Sequence, residues 1–138
     1  MASTVEAVQA RIRELLREAG YPFQEEKGLV RVDRGSCAVF VRVEAWKERY
    51  TLVELLSPVL RGVTRTEGLL EALNDQNQKL YFGKAYLRKD EVWLAHNLLG
   101  DRLDREELIA CVGMLAVVAD HLDDELKDRY GGQRWSDA

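Results

Sequence analysis

Residues 109–119 read IACVGMLAVVA, eleven consecutive small or apolar residues set inside a segment marked at both ends for a helix. Asp104-Arg105-Glu106-Glu107 forms a capping box, with Leu103 and Leu108 placed as a hydrophobic staple. Gly131-Gly132 supplies the stop. The helix predicted between them, to about Tyr130, is roughly 40 Å long at ~1.5 Å per residue. Its first half is apolar all round, so it must be covered all round. Leu108, Val112, Leu115, Ala119, Leu122 and Leu126 form the main stripe. Ala110, Met114 and Val117 lie on another face and are candidate dimer contacts. Two coverings fit. A sheet takes one side and a first helix, through Val8, Ile12 and Leu15, takes another; alternatively, a second subunit covers what that helix leaves. Gly113 costs about 1 kcal/mol relative to Ala in a helix interior, and close approach of another backbone is its expected use.

The rest of the chain supplies those layers. Residues 4–19 repeat apolar side chains at three- and four-residue steps, after a Ser3-Thr4-Val5-Glu6 capping box and before Gly20. Val30 and Val32 alternate with Arg31 and Asp33, and Arg34-Gly35-Ser36 turns the chain. Cys37, Val39, Val41 and Val43 occupy one strand face, with Ala38, Phe40, Arg42 and Glu44 on the other. Trp46–Arg49 reads as a polar connection. Tyr50–Leu56 is a further strand, with Pro58 at its end or on a sheet edge. A short extra strand is expected near Tyr21–Gln24. Thr64-Arg65-Thr66-Glu67 opens a short helix that Asn74–Asn77 stops. Leu80–Leu87 and Glu91–Leu98 form a hairpin around Arg88-Lys89-Asp90. The order α-β-β-β-α-β-β-α predicts an α+β fold, an antiparallel sheet with helices packed on one face. One domain over residues 1–132 is expected, with residues 133–138 frayed.

Charge argues against duplex binding. Residues 101–138 hold ten acids and five bases, whereas the first 100 hold fourteen acids and fifteen bases. Phosphate neutralisation needs the opposite balance. No apolar run reaches the ~18 residues of a membrane span. Without a signal sequence, the cytoplasm is the expected location. Cys37 and Cys111, in apolar contexts without CxxC spacing, read as reduced buried thiols.

Catalytic constellations are scarce. The sequence has no Gly-rich phosphate loop, HExxH or GxSxG elbow. His121 shares a helix face with Asp124, Glu125 and Asp128, but this face points away from the apolar stripe, so a solvated surface is the expectation. One helix alone gives a metal no geometric control. A ten-residue separation puts Cys111 about 15 Å from His121. A Cys37/His96 pair on neighbouring strands stays open, so a small metal- or thiol-dependent enzyme using His121 or Cys37/His96 is the alternative reading. No catalytic residue, metal or cofactor is assigned. Tyr86 and Trp93 are expected as core or cross-strand packing residues.

A binding surface is the positive expectation. Phe40 shares its strand face with Arg42, and Tyr50 and Leu52 fall at matching parity on the next strand. If helices cover the valine face, these four residues face outward as a candidate partner-binding patch, unless a loop such as Ser57–Val63 covers them.

SPVLRGV, LLEALNDQNQKLYFGKAYL, EVWLAHNLLGDRLDREEL and DELKDRYGG together resemble YbjN-domain proteins of the type III secretion chaperone-like group. The similarity spans most of residues 25–132, and the group's element order agrees with the one read above. The resemblance implies binding of a protein or peptide segment, often as a homodimer, rather than catalysis.

Overall fold

The alternating valines of residues 37–43 become part of a six-stranded antiparallel sheet in a computed structural model that describes residues 4–137. Helix α1 is Val5–Glu18, followed by strands β1 (Phe23–Glu26), β2 (Leu29–Arg34), β3 (Cys37–Trp46) and β4 (Tyr50–Arg61). Helix α2 is Glu67–Lys79, β5 is Lys84–Arg88, β6 is Glu91–Leu99 and α3 is Arg105–Tyr130. A 3-10 turn, Trp135–Asp137, follows. Neighbours across the sheet run β1-β2-β3-β4-β6-β5. The β5–β6 hairpin is laid down after α2 and puts its second strand beside β4.

Each helix starts where a side-chain oxygen meets an orphan N–H. Thr4 Oγ1 accepts from Ala7 N, Thr66 Oγ1 from Leu69 N and Asp104 Oδ1 from Glu107 N. The first cap is thus Thr4, and Ser3 lies outside the described residues. The second is Thr66 rather than Thr64. Helix α2 runs through the expected stop at Asn74–Asn77, because Asn77 spends its amide on tertiary bonds. Its Nδ2 donates to Ala85 O (2.9 Å), and its Oδ1 accepts from Ala85 N (2.8 Å). Those bonds tie α2 to edge strand β5.

The inner sheet face carries Val32, Val39, Val53, Leu55, Val92 and Leu94, all fully buried. Helix α3 lies on this face with Leu108, Val112, Leu115, Ala119, Leu122 and Leu126 buried, as its stripe predicts. Helix α1 adds Val8, Ile12, Leu15 and Leu16, and α2 adds Leu69, Ala72 and Leu73 to the same core. Sheet and α1 therefore supply the first covering of α3. They leave Ala110, Met114 and Val117 exposed. Gly113 serves no close approach, since a Cβ there would meet only Tyr21 Oη at 3.8 Å.

Among the strand boundaries that differ from the sequence pattern, β3 extends to Trp46 and β6 to Leu99, and three others have identifiable causes or consequences. The extra strand near Tyr21–Gln24 forms as β1, two residues later. Strand β5 begins at Lys84 rather than Leu80, after Gly83, whose φ of 86° and contact with Leu115 suit no larger residue. Strand β4 continues through Pro58 to Arg61, inside the sheet. The register that pairs Phe40 with Leu56 puts Pro58, which lacks an N–H, opposite Ala38. Ser57 Oγ donates to Ala38 O instead (2.8 Å, buried), and the register to β6 shifts between Pro58 and Leu60.

Candidate functional site

Period-two alternation sends every second residue of β3, β4 and β6 to the outer sheet face. Its rows follow from the register: Trp46 opposite Tyr50; Glu44, Leu52 and Leu99; Arg42, Glu54 and Asn97; Phe40, Leu56 and Ala95; then Pro58, Trp93 and Tyr86. The parity assigned to Phe40, Arg42, Tyr50 and Leu52 from sequence is the one the structure has. Their surroundings are not alike. Arg42 is ion-paired to Glu54 and, at 3.2 Å, to Glu44. This polar belt divides the face into two apolar ends.

One end holds Trp46, Tyr50, Leu52 and Leu99. Trp46, Tyr50 and Leu99 are 47%, 40% and 55% exposed. The Trp46 and Tyr50 rings lie 5.7 Å apart. Lys47 stands 5.6 Å over Trp46, and Arg49 5.9 Å over Tyr50. An open groove of about 790 Å³ adjoins this end, lined by Glu48, Arg49, Tyr50, Leu99, Arg102 and Glu107 among others. Trp46 and Leu99 escaped the sequence reading because one lay in an expected connection and the other just past an expected strand end.

The other end is occupied. Phe40 is only 8% exposed, because Trp135 packs edge-on against it with ring centroids 5.8 Å apart at 84°. The Arg31 guanidinium lies 5.5 Å from the Trp135 ring centroid. The covering element is thus the segment after Gly132, not the loop at Ser57–Val63. Residues 133–137 are docked where fraying was expected. Arg61 N donates to Gln133 O (2.9 Å) and Gln133 N to Arg61 O (2.8 Å). Tyr86 and Trp93 form the expected cross-strand pair, on the outer face.

The histidine and cysteine candidates do not converge. His121 has its side chain 74% exposed and meets Glu125 at 3.4 Å. His96 pairs with Leu55, whose partner on β3 is Val41, four residues from Cys37. Two strand spacings and four residues of rise put Cys37 roughly 15 Å from His96. His96 instead accepts from Gly83 N through Nδ1 (3.2 Å), and burial, then Lys84, lowers its pKa.

A different cluster forms. The Cys37 sulfur and the carboxylates of Asp120 and Asp123 lie within 4.8 Å of one another. Burial pushes the Cys37 thiol up to about 11, so it stays protonated at neutral pH. Ser36 Oγ donates to Asp120 (3.0 Å), and Arg134 contacts Asp123 (3.4 Å) and Asp124 (2.6 Å). The cluster reads as a compensated acidic corner. Its sequence signal was available: Asp123 falls about 20° from the apolar stripe at 100° per residue.

A family model described as T3SS (YopN, CesT) and YbjN peptide-binding chaperone 1 matches residues 2–138. No curated protein matches. Among solved structures, the fold is similar to the crystal structure of YbjN from E. coli, a proposed transcription regulator. That likeness has a TM-score of 0.61 at 13% identity and covers 88% of this chain and 93% of the other.

Proposed function

The chain belongs to the family of T3SS and YbjN peptide-binding chaperones, and we propose that it binds an extended protein or peptide segment on the outer face of its sheet, without catalysis. The observation that carries this reading is the cluster of Trp46, Tyr50 and Leu99, large apolar side chains left exposed beside an open groove. Such a patch on a sheet suits a strand-like ligand whose alternate side chains point into it. Acidic Glu48 and Glu107 in the groove wall favour basic side chains on the ligand, and Arg49 and Arg102 favour acidic ones, so recognition is by sequence rather than by net charge.

Within this proposal the partner is a protein segment in the cytoplasm, neither nucleic acid nor membrane, and the role is chaperone-like or regulatory. Among the described residues, no helix is long and apolar enough to cross a membrane. A homodimer through Ala110, Met114 and Val117 belongs to the same proposal, because these residues continue one face of α3 that sheet and α1 leave uncovered.

Phe40→Asp is the wrong test, since it would bury a charge beneath Trp135. Leu99→Asp is the right one, at an exposed position. The probe is a peptide selected by the wild-type chain from an array of unstructured 12-residue sequences. Calorimetry is expected to show at least tenfold weaker binding of that peptide to the variant, with an unchanged circular dichroism spectrum. Equal affinity in both proteins would falsify the reading.

A further inference from the structure

Strand β4 is longer than its neighbour. Its pairing with β3 ends at Phe40↔Leu56, while β4 itself continues to Arg61. β3 itself reaches back to Cys37, which this register puts opposite Val59; past Val59 the edge of β4 is not filled by β3, and Gln133 pairs there through two backbone bonds with Arg61. Two residues on, Trp135 enters the apolar end of the outer face. It shares a cavity wall with Pro58, Leu60 and Trp93 and packs on Phe40. The space left there is about 30 Å³, on the order of one water's share of liquid volume. Residues 133–135 thus meet the sheet edge through a single β-bridge followed by an aromatic anchor, a minimal form of the strand addition by which sheets recognise peptides.

The attachments of this segment are of a reversible kind. Arg134 holds Asp124 at 2.6 Å, Lys127 holds Asp137 at 2.6 Å, and Arg134 N donates to Asp137. Exposed ion pairs are individually weak and weaken further with salt. Gly131 and Gly132, at φ of 76° and 85°, form the joint that carries the chain from α3 to the sheet edge. Docking also leaves a need unmet: Arg61 Nε, in the wall of the same cavity, is buried with no hydrogen-bond partner among the described residues.

We propose that Gln133–Asp137 is a resident, displaceable ligand of the peptide-binding face. The incoming partner is an extended segment carrying a basic residue followed by an aromatic one. It takes the β4 edge and the Trp135 site, and it gains over the tail by bringing an acceptor to Arg61. This inference rests on the peptide-binding reading above and names the class of segment bound. The tail then acts as a tethered competitor. A short flexible tether gives an effective concentration in the millimolar range, so a free ligand of the same type binds about tenfold more weakly than to an emptied site if its own Kd is ~100 μM.

The probe is a fluorescein-labelled peptide with the chain's own sequence Gly-Gly-Gln-Arg-Trp-Ser-Asp, titrated by fluorescence anisotropy into three full-length proteins. Relative to wild type, Trp135→Ala is expected to bind about tenfold tighter. Asp137→Ala, which loosens the tail at an exposed position and leaves the site intact, is expected to tighten binding to a lesser degree. Adding Phe40→Ala to Trp135→Ala should abolish the gain. If neither single variant binds the peptide more tightly than wild type, the tail is structural and the inference is overturned. The array-selected peptide separates the two proposals. Should it still bind and still depend on Leu99, the tail inference fails alone; should it not, the binding reading fails as well.

Discussion

Asp123→Asn is expected to stabilise the protein at neutral pH, against the usual behaviour of a paired carboxylate. Asp123 is buried on α3, facing Asp120, Asp124, Arg134 and the Ser36–Cys37 start of β3. Burial is the largest influence on its carboxyl, followed by the charges of Asp124 and Asp120. Arg134 pulls the other way and loses, so the pKa is pushed up to about 6. In the unfolded chain it returns to about 3.9. Between those values the folded state binds more protons than the unfolded one. Unfolding free energy from this group therefore falls as pH rises, with stability fully present below about pH 4 and lost through about pH 6. Two units at ~1.4 kcal/mol each set an upper bound of about 3 kcal/mol. The lost contact with Arg134 and the cost of burying an amide bring the expected net gain nearer 1–2 kcal/mol.

The assay is urea denaturation followed by circular dichroism from pH 4.5 to 8. The quantity read is variant minus wild type, because other groups titrate in this range. His96 opposes the trend: its pKa is lowered, so its contribution is lost as pH falls. The difference should be near zero or negative at pH 4.5 and rise to a plateau above pH 7. Arg134→Ala, which removes the one favourable charge, should move the midpoint of that rise to higher pH. A difference that stays flat, or that falls with pH, refutes the reasoning.

Other perturbations follow from packing. Gly113→Ala should raise stability by up to about 1 kcal/mol through helix propensity, since nothing lies within 3.8 Å of the new Cβ; a lower thermal midpoint would contradict this. Gly83→Ala should lower it by more than about 1 kcal/mol, because φ is 86° and Leu115 Cδ1 would lie at 2.9 Å. Asn77→Ala removes both bonds to Ala85, and a loss of about 1–3 kcal/mol is expected in chemical denaturation, with faster amide exchange in β5. Val117→Glu, on the uncovered face of α3, should convert the proposed dimer to a monomer by light scattering; a mass equal to wild type at every concentration removes that face from the dimer proposal.

Sequence alone determined whatever rests on neighbours along the chain. The stripe from Leu108 to Leu126, the three-helix count and the parity of Phe40 against Cys37, Val39 and Val41 all follow from 3.6- and 2-residue periods. Those periods are fixed by backbone geometry before any tertiary contact forms. The same local logic put a cap at Asp104. It misjudged Asn77, whose amide signals a helix end only while it lacks a distant partner.

Tertiary structure decided what rests on groups far apart in sequence. Pro58 stays inside a sheet because Ser57 donates to Ala38, nineteen residues away. Phe40 is buried because Trp135 reaches it after the whole of α3, and no periodicity of either segment encodes that meeting. Cys37 and Asp123 became neighbours, while Cys37 and His96 did not, because strand register sets distance in steps that composition does not contain. The alternation settles that an outer face exists; its division, open at Tyr50 and Leu99 and filled at Phe40, belongs to the folded chain, where each contact exists only once the others hold it in place.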